Sequence, residues 1–401
     1  MKQLHESPPS IPRSIWILGS VSFLMKISSV IVFTITPFFV TQVLGLSTFV
    51  LGMLEGFVEA IGLFSRIFSG IVSDFIHKRK SIIAVGYILA LISRPILALS
   101  TNIGSVFLGR ALDRVGNGLD ATPRDALVGD LAPPQIKGAC YGLRESLSRA
   151  GSFSGAILAI ALLWFTSNNY SLVFWIGSIP IALALVVLLI FVKDPVSEKF
   201  QHKQIKKKLT FDDVLKDVLN LPVHFWLILL LSGLFMISNF SGVFLLIRAE
   251  EAGLDLHLAP LVMVVQNMAT ACTAYPVGYL SDKLGRRSMM ALGILLVVLS
   301  DIFLATGSSL YMIFVGVMLW GAEMGITQSI LAIFLADACP GNLRGTGFGL
   351  FHFNNGICLL LANSLAGWIW DTTGPPFMFY TSAVIAALST FVLPFIHKKT
   401  S

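Results

Sequence analysis

The chain has 401 residues, of which 55% are hydrophobic and only 12% are charged, and its mean hydropathy is +0.81. This composition excludes an ordinary water-soluble domain and indicates an integral membrane protein. The net charge of +6 comes from basic residues in loops on one side of the predicted spans, so it does not indicate nucleic-acid binding.

Twelve apolar segments are long enough to cross a bilayer, which takes about 20 residues in a helix. Six precede a polar stretch at 194–222 and six follow it. Within that stretch, 211–220 has the pattern of an amphipathic surface helix. We therefore expect an all-α integral membrane protein with twelve transmembrane helices in two pseudo-symmetric six-helix bundles, 1–193 and 223–401, joined by a cytoplasmic linker. The predicted spans are 14–43, 50–76, 81–100, 104–131, 137–166, 171–193, 223–249, 258–281, 287–306, 310–338, 343–370 and 375–397.

Two phrases occur twice at nearly the same separation. GIVSDFIHKRK at 70–80 returns as GYLSDKLGRRS at 278–288, and DLAPPQIKGACYGL at 130–143 returns as DACPGNLRGTGFGL at 337–350. A period of about 200 residues is too long for a solenoid repeat, whereas two similar halves are common in membrane transporters. The halves are therefore expected to be copies of one another.

Basic residues give the orientation, because short cytoplasmic loops carry an excess of Lys and Arg. Nineteen of the 28 Lys and Arg residues fall in the N-terminus, the even-numbered loops or the C-terminus, and the odd-numbered loops hold none. We expect both termini in the cytoplasm of a bacterial cell, with the chain in its inner membrane. The first apolar run continues past signal-peptide length and has no small-residue cleavage site, so it is expected to stay as the first span.

The repeated Gly-x-x-x-Asp with following basic residues resembles the loop signature of the major facilitator superfamily. The second copy matches nearly completely, whereas the first has Phe75 at the usual basic position and His77 at the usual glycine. SFLMKISSV, FVLGMLEGFVEAIG and RALDRVGNGLDATPRDAL resemble a prokaryotic subgroup whose substrates are poorly defined. The resemblance covers the whole chain and implies secondary transport by alternating access. The residues that carry it in the second copy are Gly278, Asp282, Lys283, Gly285, Arg286 and Arg287.

These loops also suggest a gate. Carboxylates at the cytoplasmic ends of spans 2, 4, 8 and 10 lie near basic residues, and such pairs can form when that side closes and break when it opens. The alternative is that the basic residues only set the topology. The predicted gating residues are Gly70, Asp74, Arg79, Asp130, Gly278, Asp282, Arg286, Arg287, Asp337 and Arg344.

Span 4 carries charges at steps of three and four residues, which places them on one helix face. A charge at the bilayer centre costs about 2.5–3.5 kcal/mol, so this face must meet water or partners. Shorter stripes occur in spans 1, 2 and 5, and together they predict a charged wall in the first half. Its members are Lys26, Glu55, Glu59, Arg66, Arg110, Asp113, Arg114, Asn117, Asp120, Arg124 and Glu145.

The second half offers mostly neutral hydrogen-bonding groups, namely Gln266, Asn267, Glu323, His352 and Asn355. His352 is more often a structural histidine than a proton carrier. A solute held between a cationic first half and this wall would be small, polar and anionic. The excess of positive charge also permits a carboxylate-type metal chelate as cargo.

Proton coupling needs a carboxylate that titrates during the cycle; burial raises a carboxylate pKa and a nearby arginine lowers it. Candidates in the first half are Glu55, Glu59, Asp113, Asp120 and Glu145, and weaker candidates in the second half are Asp301 and Glu323. For each, the alternative is a static ion pair. Arg114-x-x-Asn117-Gly118 is similar to the superfamily's span 4 arginine motif of proton-coupled members, with Asn in place of Gln. A contact between Lys26 and Asp120 is a further hypothesis.

No enzyme motif stands out: the chain has no Walker-type loop, HExxH, nucleophile elbow or metal-spaced Cys/His cluster. We therefore expect no enzymatic activity, no cofactor and no resident metal. The expected partners are a small-molecule solute, a coupling proton and the lipid bilayer, with the chain a monomer and no nucleic acid bound. Uptake and export remain equally open, and the alternatives are multidrug efflux by proton antiport and a transport-inactive membrane sensor.

Overall fold

The computed structural model describes residues 11–76, 78–133, 136–192, 221–338 and 344–396, and within these ranges it contains helices and no strand. Short π- or 3-10 turns extend or link the α-helices at Phe39–Val43, Leu256–Leu258 and Thr390–Phe395. The α-helices are α1 Arg13–Phe38, α2 Thr48–Ile76, α3 Arg79–Ala98, α4 Ile103–Leu131, α5 Lys137–Phe165, α6 Tyr170–Phe191, α7 Val223–Ser238, α8 Val243–Glu251, α9 Pro260–Leu284, α10 Arg286–Thr306, α11 Leu310–Ala338, α12 Arg344–Thr373 and α13 Pro375–Ser389.

The predicted all-α membrane architecture is confirmed. Ten helical segments of the described residues are long and apolar enough to cross a membrane. The two predicted spans outside that set are α4, which carries the charged face, and α12. Large apolar side chains lie on the outer surface, including Phe165 at 79% exposure and Phe391 at 71%. Such residues are expected where helices face lipid rather than water.

The seventh predicted span, 223–249, is present as the candidate span Val223–Glu251, but its helix is interrupted. α7 ends at Ser238, and α8 begins only at Val243. Within the interruption, the backbone N–H of Ser241 donates to Asn363 Oδ1 of α12 at 2.7 Å. Backbone groups inside a membrane need such partners, and a side chain from another helix makes the break stable.

Contacts divide the chain into two compact units. Among the described residues, the first unit holds 11–35 and 65–192, and the second holds 36–64 and 221–396. The first half of α2 therefore packs with the second unit. The domain boundaries expected from the repeat stay a prediction, and most of the expected linker, including the amphipathic stretch 211–220, lies outside the described residues.

The core of the first unit is an apolar cluster contributed by α1, α3, α4, α5 and α6. Ile15, Tyr87, Leu127 and Ile181 are each fully buried in it, together with Cys140. Cys140 thus packs as a small apolar side chain.

The repeat is visible in the packing of both units. Gly109 of α4 lies against Leu97 of α3, and their counterparts in the second copy, Gly316 of α11 and Leu304 of α10, make the same contact. Both counterparts follow at the offset that relates 130–143 to 337–350. A Cβ on these glycines would meet the leucine Cγ at 2.7 and 2.8 Å, closer than real side chains approach. The two helix pairs therefore cross in the same way, and positions related by this offset can be compared.

Candidate functional site

The charged face of α4 is the central feature of the first unit. Arg110, Asp113, Asp120 and Arg124 are buried, and Asn117 between them is half-buried. Asn117 donates from Nδ2 to the main-chain carbonyl of Asp113 at 2.8 Å. The helical spacing predicted one face, and the structure gives these residues a common buried environment.

Asp113 is held in a buried ion pair at a junction of four helices. Arg94 Nη1 of α3 lies 2.5 Å from Asp113 Oδ1, with side-chain exposures of 0% and 1%. Arg94 Nε donates to Ser28 Oγ of α1 at 3.0 Å, and that hydroxyl donates to the carbonyl of Gly177 of α6 at 2.6 Å. This arrangement has the features of a structural pair that fixes the junction.

Asp120 forms its ion pair with Arg124, one turn along α4. Lys26 of α1 lies within electrostatic range of both, and also of Arg66 and Arg114. The hypothesis of a Lys26–Asp120 contact stays a prediction, since the structure places these groups near one another but gives Asp120 the partner on its own helix.

A network of ion pairs continues from α4 to α5. Arg144 Nη2 lies 3.0 Å from Asp125 Oδ1, and its Nη1 lies 3.3 Å from Glu145 Oε2. Glu145 also receives Arg149 Nε at 2.8 Å. Glu145 is thus engaged by two arginines and is about half exposed, which favours a fixed charge over a titrating one.

Phe33 of α1 is a site residue that the sequence reasoning missed. The guanidinium carbons of Arg110 and Arg114 each lie 5.7 Å from the centre of its ring. Cation–π contacts of this kind hold two like charges against one aromatic face. Helical spacing could have found it, because Lys26, Ser29 and Phe33 follow steps of three and four on α1.

These residues form what we call the first-unit cluster: Lys26, Phe33, Arg66, Arg94, Arg110, Asp113, Arg114, Asp120 and Arg124. Its basic groups outnumber its acidic groups. The excess remains positive if the two carboxylates of the α2 stripe, Glu55 and Glu59, are counted with it. Glu55 is buried and Glu59 is half-buried, both in the part of α2 that belongs to the second unit.

Two of the predicted gating residues form an ion pair. Arg79 Nη1 at the start of α3 lies 3.0 Å from Asp130 Oδ2 near the end of α4, with side-chain exposures of 16% and 23%. Arg286 and Arg287 open α10 after Gly285, whose φ of +85° few other residues tolerate. The latch stays a prediction, because the side chains of the other six lie outside the described residues: Gly70, Asp74, Gly278, Asp282, Asp337 and Arg344.

The neutral groups of the second unit are mostly engaged by their own surroundings. Asn267 donates to the carbonyl of Met263 at 2.7 Å, and Asn355 Oδ1 accepts from Ser232 at 2.7 Å. Gln266 Nε2 lies 3.0 Å from Met324 Sδ. His352 lies half-buried beside Phe351, with ring centres 5.6 Å apart.

A second feature missed from sequence joins α2 to α12. A Cβ on Gly52 would overlap the main-chain oxygen of Asn363, and one on Gly367 would lie 2.6 Å from the oxygen of Thr48. The Asp371 carboxylate accepts from the backbone N–H groups of Thr48 at 3.1 Å and Phe49 at 2.8 Å. Asp371 thus caps α2 from another helix, which supplies partners for its unpaired N–H groups.

Glu323 of α11 is fully buried in the second unit. It accepts from Thr327 Oγ1 at 2.5 Å and from Asn239 Nδ2, in the α7–α8 interruption, at 3.4 Å. Trp320, one turn before it, packs on Phe240 with ring centres 4.6 Å apart. Among the described residues no cluster of three or more metal-ligating side chains occurs.

The comparisons agree with this architecture. A model of the Major Facilitator Superfamily matches residues 15–248 and 235–400. An uncharacterized MFS-type transporter of Methanocaldococcus jannaschii is 27% identical over 99% of this chain and 98% of its own length. Multidrug resistance protein MdtH of Photorhabdus laumondii is 23% identical over 88% of this chain and 85% of its own.

A crystal structure of the nucleoside transporter NupG has a TM-score of 0.79 at 15% identity, covering 96% of this chain and 100% of NupG. At this identity the likeness shows the fold alone. The family model, by contrast, spans nearly the whole sequence. The chain therefore belongs to the Major Facilitator Superfamily and is a membrane transporter.

Proposed function

We propose that this transporter is a secondary active carrier of a small, polar, anionic solute, moved by alternating access and coupled to protons. The observation that carries the proposal is the positive excess of the first-unit cluster. Ionisable groups inside membrane spans are costly and mark solute or ion pathways. A cluster with more arginine and lysine than carboxylate is complementary to a negative solute.

The chemistry of the cluster favours a carboxylate or phosphate group on the solute. Arginine presents a planar fork of donors that matches these groups bidentately, and lysine adds a point charge. Phe33, which lies against Arg110 and Arg114, can hold the two guanidinium groups in place while a solute binds. The amides of Gln266, Asn267 and Asn355 stay proposed solute contacts of the second unit.

Alternating access requires contacts that form and break. We propose two such sets: Arg79–Asp130 on the predicted cytoplasmic side, and the Asp371 cap with the glycine contacts between α2 and α12. A solute can shift the balance only by binding the two states differently. We propose the bacterial inner membrane as the location, with both termini in the cytoplasm and the monomer as the working unit.

The substrate class is tested by thermal unfolding of the purified protein with small carboxylates, amino acids, organic phosphates and cationic dyes. A ligand at 100 times its Kd stabilises the folded state by about 2.7 kcal/mol. We expect stabilisation by anions, its loss in Arg114→Gln, and its retention in the control Arg13→Gln, which removes an exposed charge outside the cluster. Anion binding that is unchanged by Arg114→Gln would refute the proposed site.

Drug efflux by proton antiport is the second candidate, favoured by the similarity to MdtH. It predicts stabilisation by cationic dyes and none by anions. Flux of the bound solute in proteoliposomes, with and without a pH gradient, tests coupling. A protein that binds solute without any flux would instead be a sensor on this fold.

A further inference from the structure

Asp301 is a buried acidic residue of the second unit that lies outside the first-unit cluster. It lies on α10 with 0% exposure, its carboxyl oxygens make no well-formed hydrogen bond to the described residues, and the neighbouring hydroxyl is that of Ser382 on α13. Glu323 of α11, also at 0% exposure, lies within electrostatic range of it. Burying a charged carboxylate is costly unless a basic group pairs with it, so two neighbouring buried acids need an explanation.

The internal repeat of the chain supplies an explanation for these buried acids. At the offset that relates Gly109 to Gly316, Asp301 is the counterpart of Arg94, and Trp320 is the counterpart of Asp113. In the first unit, the two positions form the buried Arg94–Asp113 ion pair. In the second unit, the basic member is replaced by an acid and the acidic member by an indole. The ion pair is thus lost in the second copy, while a buried carboxyl remains.

A hydroxyl also lies at this junction in the second unit, but it comes from the other helix of the pair, because the offset places Phe235 at the position of Ser28. In the first unit, Ser28 Oγ donates to the carbonyl of Gly177 and accepts from Arg94 Nε. In the second, Ser382 Oγ of α13 donates to the carbonyl of Ser238 at 2.6 Å, and Asp301 lies beside it. Because the hydroxyl proton of Ser382 is already used, Ser382 can only accept. A carboxyl group in the place of the guanidinium can satisfy that acceptor only when it carries a proton.

The helices around the pair bring no basic partner to it in the described part of the chain. Arg248 of α8 reaches α10, but its guanidinium donates to the carbonyls of Leu304 and Gly307 and lies 3.8 Å from Glu251. α11 contributes Glu323, and α13 contributes the neutral Ser382. No Lys, Arg or His in the described part of the chain forms an ion pair with Asp301 or Glu323.

We infer that Asp301 and Glu323 form a proton-binding site of the second unit, and that this site holds the coupling proton of the proposed transport. The inference rests on that proposed function. In the binding step, a carboxylate oxygen takes a proton from water and forms an O–H bond, and on release the proton returns to water. No heavy-atom bond changes and no other reactant is needed.

The position of the site suggests how the proton acts. Asp301 adjoins the Ser382–Ser238 bond at the end of α7, and Glu323 contacts Asn239 inside the α7–α8 interruption. Interrupted helices in transporters are points where ion binding and helix movement are linked. A proton on Asp301 would allow it to donate to Ser382 at the end of α7, and a proton on Glu323 would weaken the bond that it accepts from Asn239. Protonation at this pair therefore bears on the α7–α8 break directly.

Infrared difference spectroscopy tests this on the full protein in liposomes, without solute, between acidic and alkaline buffer. The carbonyl stretch of a protonated carboxylic acid is separate from the amide bands. We expect a band that Asp301→Asn and Glu323→Gln each diminish, and that the control Asp255→Asn, at an exposed loop position, leaves unchanged. Ser382→Ala keeps the carboxyl but removes its acceptor, so it should shift the band without abolishing it.

A spectrum unchanged in Asp301→Asn or in Glu323→Gln would overturn the shared site. If Asp301→Asn fails to fold, Ser382→Ala and Glu323→Gln still test the shared site. A band that is not shifted in Ser382→Ala, or not diminished in Glu323→Gln, would also overturn it. The measurement needs no substrate. Failure of anion binding would overturn the proposed solute class and leave this result standing.

Discussion

The buried Arg94–Asp113 pair gives the sharpest stability prediction. Asp113→Asn keeps the side-chain shape but removes the negative charge 2.5 Å from Arg94 Nη1, at a site with 0% and 1% exposure. Ser28 and Ser93 remain as neutral acceptors of Arg94. Breaking a buried pair by removing one partner costs about 3–5 kcal/mol. At about 1.4 kcal/mol per factor of ten, the unfolded fraction rises on the order of a hundredfold or more.

The assay is unfolding in mixed detergent micelles with increasing denaturing detergent, followed by helical circular dichroism. The control is Arg149→Gln, which breaks the Arg149–Glu145 pair at 51% and 46% exposure and is expected to cost at most about 0.5 kcal/mol. Replacing both members, as Arg94→Met with Asp113→Leu, should recover most of the loss, because no uncompensated charge remains. An Asp113→Asn protein within about 1 kcal/mol of the wild type would refute the reasoning.

Three further changes test local features by thermal unfolding. Gly52→Leu should destabilise the protein by about 1–3 kcal/mol through overpacking, because its Cβ would overlap the Asn363 oxygen. The control Gly142→Leu should not, because nothing lies within 4 Å of a Cβ there. Equal losses in the two variants would contradict the close α2–α12 contact. Asp371→Ala should lower the stability by about 0.5–2 kcal/mol, because the N-cap of α2 is lost. Asp371→Asn should lower it less, and identical losses in the two variants would argue against capping. Gly285→Val should cost about 1–2 kcal/mol, since φ is +85° there; an unchanged midpoint would show that the backbone relaxes.

The charged face of α4 could be predicted because helical spacing is a local property. Residues three and four apart share a face in any α-helix, so Arg110, Asp113, Asp120 and Arg124 were expected together, and all four are buried. Their partners could not be assigned. Asp113 pairs with Arg94 of α3 and Asp120 with Arg124 of α4, and several arginines were equally available by sequence.

The interruption between α7 and α8 was not predicted, because 223–249 is apolar almost throughout and reads as one span. The break depends on Asn363, which is distant in sequence from Ser241 and accepts its N–H. The cap on α2 depends in the same way on Asp371, which lies near the opposite end of the chain from Thr48. Such contacts leave no periodic signal in the segment that they shape.

The sequence by itself determined that this is a membrane protein, that its two halves repeat, and that one helix of the first half carries a charged face. Each follows from composition, from self-similarity or from the 3.6-residue period of the helix. Only the tertiary structure decided that the first copy satisfies its buried charge with an ion pair, while the second has Asp301 within electrostatic range of Glu323 and near a hydroxyl that donates to a carbonyl. Which side chains meet depends on how neighbouring helices cross and rotate, and no single helix encodes that.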